Sequence, residues 1–169
     1  YVEMALSCAR LESDSTDYVI RSLPLEQIVK PAVRKYAPMF ISKKLSLEMG
    51  SLTATVLTDE KWAQFIVEQI LSNSLKYTRT GSIRIWQKDP AALVIEDTGI
   101  GIDPADIPRL GERGFTGYNG RLDKKSTGIG LYLCKEISRR LSHTLTIESE
   151  PGKGTRVTID FATRQLQPE

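Results

Sequence analysis

Four short stretches carry residues able to do chemistry. In EDTGIGI, residues 96–102, the acid Asp97 ends the apolar run AALVI, and Gly99 and Gly101 alternate with isoleucines. Asp97 offers an acceptor for an exocyclic amine, the glycines permit close backbone approach, and Ile100 and Ile102 can grip a flat ring. A purine with an amino group, such as adenine, satisfies all three. A turn that holds Asp and Gly for local reasons reads the same way. The second stretch is the segment from Asp59 to Thr78, turned as a helix at 100° per residue. Trp62, Ile66 and Asn73 fall on one face, with Gln69, Lys76 and Tyr77 within about a quarter turn. This stripe is apolar in its first half and polar in its second, whereas an inward stripe is normally apolar throughout. An unpartnered buried amide costs roughly 2–7 kcal/mol, so the polar half is expected to line an occupied cavity. Asn73 supplies a neutral oxygen for a hard cation, Lys76 a positive charge, and Tyr77 a flat face and a hydroxyl. Together they suit a magnesium polyphosphate; a solvent-facing polar helix end is the alternative. In STGIGLYLCKEI, Gly128 and Gly130 open a helix, and free amides at a helix start suit phosphate. The fourth stretch, GKGTRV, reads as a hairpin turn.

The elements that position these residues follow from periodicity. Residues 1–17 read as a helix, with Tyr1, Met4, Ala5, Cys8 and Leu11 at helical spacing, and the start inside the pattern suggests the end of a longer helix. YVIRSLPL is extended, and Pro24 opens the next helix, residues 25–44. Within it Pro31 should disturb the first half and Pro38 bend or shorten the second. LSLEM and TATVL alternate like two strands with GSL as their turn. Asp59 is a good N-cap for the helix that follows. SIRIWQK and AALVIED form a hairpin across Asp89-Pro90, and TLTIESE and TRVTIDF form another across PGKG. Residues 103–127 are irregular, and an irregular stretch of that length is usually a functional lid. Mixed helices and paired strands imply an α+β fold: a two-layer sandwich with a mixed, mostly antiparallel sheet and helices on one face.

Composition narrows the classes further. The chain has 169 residues and a formal charge of +2, which makes no case for a nucleic-acid partner. No stretch has the length and apolarity of a membrane span. Cys8 and Cys134 have no metal-ligand spacing and read as buried thiols in a reducing cytosol. The one histidine, His143, excludes a multi-histidine metal site and reads as structural or surface.

The motifs in this order resemble the catalytic ATP-binding domain of bacterial sensor histidine kinases, within the wider family of gyrase, Hsp90 and MutL ATPases. QILSNSLKY is similar to the N box, DTGIG to the G1 box, GERGFTG to the F box with Phe115, TGIGLYL to the G2 box and GKGT to the last Gly motif. The resemblance covers roughly residues 20 to 162, and RLESDSTDYVIRSLPLEQIV and GFTGYNGR further resemble small-sensor kinases paired with peptide-antibiotic exporters. It implies a catalytic domain at 18–162, a hairpin remnant at 1–17 and a frayed tail at 163–169. It also implies ATP and magnesium: Asn73 on the metal, Lys76 and Tyr77 on phosphates and ribose, Asp97 on the adenine amine with Gly99, Gly101 and Ile102 around the base, and Thr155 supporting Asp97, through water or otherwise. Residues 111–127 would be the lid, with Arg113, Arg121, Lys124 and Lys125 as candidate cations. Thr127, Gly128, Ile129, Gly130 and Leu131 would bracket its hinge and line the nucleotide. The partners implied are the chain's own dimerisation and phosphoacceptor hairpin, a response regulator and an ABC transporter. The location implied is the cytoplasmic side of a membrane-anchored kinase.

Two positions depart from the family pattern. Gln69 stands where Asn or Glu is frequent, and Ser126 where the G2 box usually has a further glycine. Glu68 points about 140° from Asn73 by the helical count, so a water-activating carboxylate is missing and phosphoryl transfer is favoured over hydrolysis. An imidazole nitrogen attacks without first losing a proton, so Gln69 suffices in a catalytic position beside Asn73. The rival readings are a gyrase-like ATPase, an anti-sigma-type serine kinase and a degenerate nucleotide-binding scaffold.

Overall fold

The computed structural model describes residues 6, 9–10, 17–88, 90–112 and 129–162. Strand β1 (Ile20–Pro24) leads into helix α1 (Leu25–Lys43), strands β2 (Ser46–Met49) and β3 (Thr55–Asp59), and helix α2 (Glu60–Tyr77). Strands β4 (Ser82–Lys88) and β5 (Ala92–Asp97), a single 3₁₀ turn (Ile107–Arg109), helix α3 (Ile129–Arg140) and strands β6 (Thr144–Glu150) and β7 (Gly154–Asp160) complete the described order. Leu6, Ala9 and Arg10 are helical and exposed members of the first expected helix and Asp17 is not helical; residues 1–5, 7–8, 11–16 and the tail at 163–169 lie outside the described residues. No described helix is long and apolar enough to cross a membrane.

The main sheet runs β2-β4-β5-β7-β6, with β2 parallel to β4 and the other pairs antiparallel. Its inner face is a grid of β-branched and leucine side chains. Ile85 stands opposite Ile95, Ile95 opposite Val157, and Leu93 opposite Ile159, all buried. The three helices close over that grid with Ile28, Ile66, Leu71, Leu75, Leu133 and Ile137, so the core lies between two layers as expected. Period-2 alternation sends polar residues to the other face, where Arg84, Glu96, Arg156 and Glu148 form one cross-strand row of alternating charge. Arg156 Nε bonds Glu96 at 2.8 Å, and the Arg84 and Arg156 guanidinium groups lie 4.7 and 5.6 Å from the Trp86 ring.

Two expectations about the first half need correction. LSLEM and TATVL are strands but not a hairpin: β2 is the edge of the main sheet, while β3 pairs antiparallel with β1 in a separate two-stranded ribbon. Alternation specifies a strand and its faces but not its partner. Here Gly50 N–H joins the Ile85 carbonyl at 2.8 Å and Ala54 N–H joins Gln87 Oε1 at 2.7 Å, so the intervening residues span from one sheet to the other. The prolines do not divide α1, which is continuous through Pro31 and Pro38. Pro31 deprives the Gln27 carbonyl of its helical donor, and Gln64 Nε2 of α2 reaches that oxygen at 3.5 Å. Pro38 and Arg34 are exposed, so the second freed carbonyl faces water. The two later hairpins form as expected.

Asp59 caps α2 through Oδ1, which accepts from Trp62 N at 3.0 Å. Its Oδ2 accepts from Val19 N at 2.8 Å, so one buried carboxylate fixes the start of α2 and the entry to the ribbon.

Candidate nucleotide-binding site

The site is assembled where the last turn of α2 meets the end of β5. α2 ends at Tyr77 because Thr78 turns extended, with φ −106° and ψ 113°. The Tyr77 carbonyl then accepts from Ile100 N at 3.0 Å, which ties the helix end to the glycine turn. From α1, the Lys43 ammonium donates to the Leu75 carbonyl, satisfying one of the last-turn acceptors of α2. The β6–β7 hairpin closes the other side. Gly152 N–H reaches the Ile100 carbonyl at 2.8 Å, and Ile102 N–H reaches Ser149 Oγ at 2.9 Å.

Asp97 sits at the centre of this junction, 6% exposed. Its Oδ1 accepts from Gly99 N at 2.9 Å and from Thr155 N at 3.1 Å, and the Ser74 hydroxyl also bonds the carboxylate. Burial raises the acid above its ordinary value near 3.8; the Gly99, Ser74 and Thr155 bonds oppose that, and the Glu96 charge adds to it. Two backbone donors on one oxygen set the carboxylate plane and leave Oδ2 outside those two bonds. Thr155 thus supports Asp97 directly through its backbone, while its hydroxyl lies 2.9 Å from Ser149 Oγ.

The glycines are accounted for by the protein itself. Gly101 has φ +76°, and a Cβ there would collide with the Glu150 carbonyl of the hairpin; a Cβ on Gly154, φ +122°, would collide with the Asp97 carbonyl. The close approach they permit is between backbone segments.

α2 differs from the sequence expectation in one respect. Its inward face is apolar nearly throughout, with Trp62, Ala63, Ile66, Val67, Ile70, Leu71 and Leu75 buried and Ser74 the one polar member. Asn73 is exposed, and Gln69, Lys76 and Tyr77 are half-buried. They stand on the rim of the helix layer and not beneath it, so no burial penalty demands an occupant. The buried stripe is wider than the single row through Trp62, Ile66 and Asn73, and Ile70, Leu71 and Leu75 fill the positions that the row assigned to polar groups. The rim still places oxygen and cationic groups together: Gln69, Asn73 and Lys76 follow at helical spacing, and Lys76 Nζ lies 5.3 Å from the Tyr77 ring centre. Glu68 turns the other way and pairs with Lys35 of α1 at 3.0 Å.

Ile100 and Ile102 are half-buried, and Gly99 and Gly101 buried. Ile129 begins α3, with Gly130 and Leu131 half-buried in its first turn. Phe115, Thr127 and Gly128 lie outside the described residues, as do Ser126 and the cations Arg113, Arg121, Lys124 and Lys125. Sequence reasoning missed Ser74 and Thr78. Both are buried polar residues flanking the noted positions Asn73 and Tyr77, and a polar residue on the apolar phase of α2 was the available signal. His143 is a core residue: its Nε2 lies 2.8 Å from Thr58 Oγ1, its ring packs edge-on against Phe161 at 4.8 Å, and burial pushes its pKa down to about 4. Cys134 is buried as expected, and burial drives its thiol pKa up; Cys8 lies outside the described residues.

Comparison with known proteins agrees with this geometry. The sensor histidine kinase YxdK of Bacillus subtilis (strain 168) is 34% identical over 96% of this chain and 52% of its own length. The sensor histidine kinase GraS of Staphylococcus haemolyticus (strain JCSC1435) is 35% identical over 95% of this chain and 48% of its own. The chain spans about half the length of the curated relatives it matches. Among solved structures, full-length ShkA in complex with AMPPNP superposes with a TM-score of 0.77 at 20% identity, covering 95% of this chain and 34% of that one. The catalytic domain of histidine kinase ThkA, nucleotide-free, superposes with a TM-score of 0.70 at 15% identity, covering 85% of this chain and 97% of that one. These two likenesses establish the fold. The family model described as histidine kinase-, DNA gyrase B-, and HSP90-like ATPase matches residues 58–165, which run from the cap of α2 past the last strand and so contain the whole junction around Asp97. By that match and by the similarity of its curated relatives, the chain belongs to the histidine kinase-, DNA gyrase B-, and HSP90-like ATPase family.

Proposed function

We propose that this chain is the ATP-binding catalytic domain of a two-component sensor histidine kinase, and that it transfers the γ-phosphoryl group of Mg-ATP to a histidine on a dimerising helical hairpin. The observation that carries the reading is Asp97: a buried carboxylate at a strand end whose Oδ1 is held by Gly99 N and Thr155 N. Oδ2 then accepts from the adenine amine, with Ile100 and Ile102 against the ring and Gly99 and Gly101 keeping the turn tight. The relatives named as sensor kinases, and a similar fold solved with AMPPNP, support the same assignment.

The rim of α2 fits a magnesium polyphosphate. Among the described residues no group of three His, Cys, Asp or Glu side chains could hold a metal by itself. The exposed amide of Asn73 offers one oxygen, which suits an ion that takes its remaining ligands from phosphates and water. Bound there, the ion would neutralise charge on the transferring group. Gln69 orients the neighbouring solvent or phosphate, Lys76 and Tyr77 hold phosphate and ribose, and Thr127 to Leu131, with Phe115, close over the nucleotide. Glu68 is committed to Lys35, which speaks against hydrolysis as the main reaction.

On this reading residues 18–162 are the catalytic domain, residues 1–17 end the hairpin and 163–169 form a tail. The partners are that hairpin, a response regulator and an ABC transporter, with no nucleic acid, and the domain works on the cytoplasmic side of a membrane-anchored kinase. The test is incubation with radiolabelled Mg-ATP and a supplied histidine hairpin from a relative. Acid-labile label on the hairpin, dependent on this chain and on Asp97, is expected. Label retained on His143 of this chain, or none on the hairpin despite tight ATP binding, overturns the transfer reading.

A further inference from the structure

Thr78 is fully buried, and its hydroxyl has no hydrogen-bond partner. A stranded hydroxyl costs about 1–3 kcal/mol, and valine, of nearly the same shape, would carry no such cost. Folding alone therefore gives no reason for the hydroxyl at this position. Its location does: a Cβ on Gly99 would lie 2.9 Å from Thr78 Oγ1 and 2.9 Å from Asp97 Oδ1. The two oxygens flank one point beside the glycine turn, within reach of a single bridging water. Thr78 also directly follows the half-buried pair Lys76 and Tyr77, and the Tyr77 carbonyl is held by Ile100 N at 3.0 Å. The hydroxyl is thus fixed close to the Oδ1 side of the carboxylate.

We propose that Thr78 is a positioning residue for Asp97: its hydroxyl, through one enclosed water, donates to the carboxylate and holds it ionised and aimed at the amino group of the base. The inference rests on the nucleotide reading given above and extends it by a residue one turn from Ser74. Ser74 from the buried face of α2 and Thr78 from the extended residue just past its end then form a two-hydroxyl backing for the acid, complementing the backbone donors from β7 and the glycine turn. The charge acting on Asp97 among the described residues is Glu96, which lies on the opposite face of the sheet and is paired with Arg156; the groups facing Asp97 from α2 (Ser74) and its C-cap (Thr78), β4 (Ile83) and β7 (Thr155) are uncharged. Removing a donor to the ionised form therefore adds to the upward push of burial on this acid.

The test is a carbon-13 titration of the Asp97 carboxyl in the nucleotide-free protein, for the wild type, Thr78→Val and Thr78→Ser. Thr78→Val should raise the midpoint by about one pH unit and Thr78→Ser should restore it. ATP affinity should then fall more steeply with decreasing pH in Thr78→Val than in the wild type, the difference reaching about tenfold only at pH below both titration midpoints. Coincident titration curves for the wild type and Thr78→Val overturn the proposal, even if thermal stability falls. If Thr78→Val does not fold, Thr78→Ala serves as the variant without the hydroxyl, with the same two outcomes. A shifted midpoint in a protein whose wild type binds no ATP sinks the functional reading above while the Thr78–Asp97 coupling stands.

Discussion

Asp97 meets opposite demands from folding and from the binding proposed for it. Ionised and buried, it weakens the folded state, because the unfolded chain gives up this proton at a lower pH. Stability attributable to Asp97 therefore falls as pH rises from about its ordinary value near 3.8 through its raised folded value. Asn at this position keeps the oxygen that accepts from Gly99 and Thr155 and loses the charge. We predict that Asp97→Asn leaves the thermal midpoint unchanged or higher and weakens Mg-ATP binding by about tenfold to a hundredfold, roughly 1.4–2.7 kcal/mol; isothermal titration beside a melting curve checks both, and unchanged affinity removes the adenine assignment. His143 has the opposite linkage. Its folded pKa lies near 4, below the ordinary 6.5, so the unfolded chain binds a proton that the folded one refuses. The contribution is whole above pH 6.5 and is lost as pH falls toward about 4, at up to about 1.4 kcal/mol per pH unit. Urea unfolding at pH 7, 6 and 5 should show this slope in the wild type and a flatter one in His143→Gln; equal slopes would contradict it.

At the scale of elements, α2 joins the core to the site, and its two ends are held by different means. Asp59 holds the start with two bonds, to Trp62 N and Val19 N. Loss of an N-cap costs about 0.5–2 kcal/mol, and the second bond puts Asp59→Ala at the upper end, about 2 kcal/mol by chemical denaturation, with ATP affinity little changed. The end is held by the Lys43 ammonium on the Leu75 carbonyl and by Ile100 N on the Tyr77 carbonyl. Lys43→Met frees the Leu75 carbonyl and should lower stability by about 1 kcal/mol and, because Lys76 and Tyr77 ride on that turn, weaken nucleotide binding as well. Affinity that stays at the wild-type value would separate this end from the site. Gly154 is a third control point: a side chain there meets the Asp97 carbonyl, so Gly154→Ala should displace β7 from β5 and cost more than the ordinary loss of glycine's backbone freedom.

At the scale of the whole molecule, the described residues form a helix layer over a five-stranded mixed sheet, with the β1–β3 ribbon beside them and the Asp97 junction where α2, β5 and the β6–β7 hairpin meet. Much of this was legible in the residues. Helical and period-2 patterns placed α2, both later hairpins and the cap at Asp59, because those signals are local: spacing, turn chemistry and a capping side chain act within a few residues. EDTGIGI announced an acid at a strand end for the same reason. Tertiary contact alone decided what local pattern leaves open. It paired β3 with β1 and set β2 parallel to β4, since alternation carries no information about a partner. It kept α1 whole through Pro31 by bringing Gln64 to the Gln27 carbonyl. It moved Asn73, Gln69, Lys76 and Tyr77 from the supposed interior to the rim, because the width of a buried stripe depends on how closely the neighbouring layer wraps the helix. And it gathered Ser74, Gly99 and Thr155 around one carboxylate, since only the folded backbone brings donors from separate segments within hydrogen-bond distance of the same side chain.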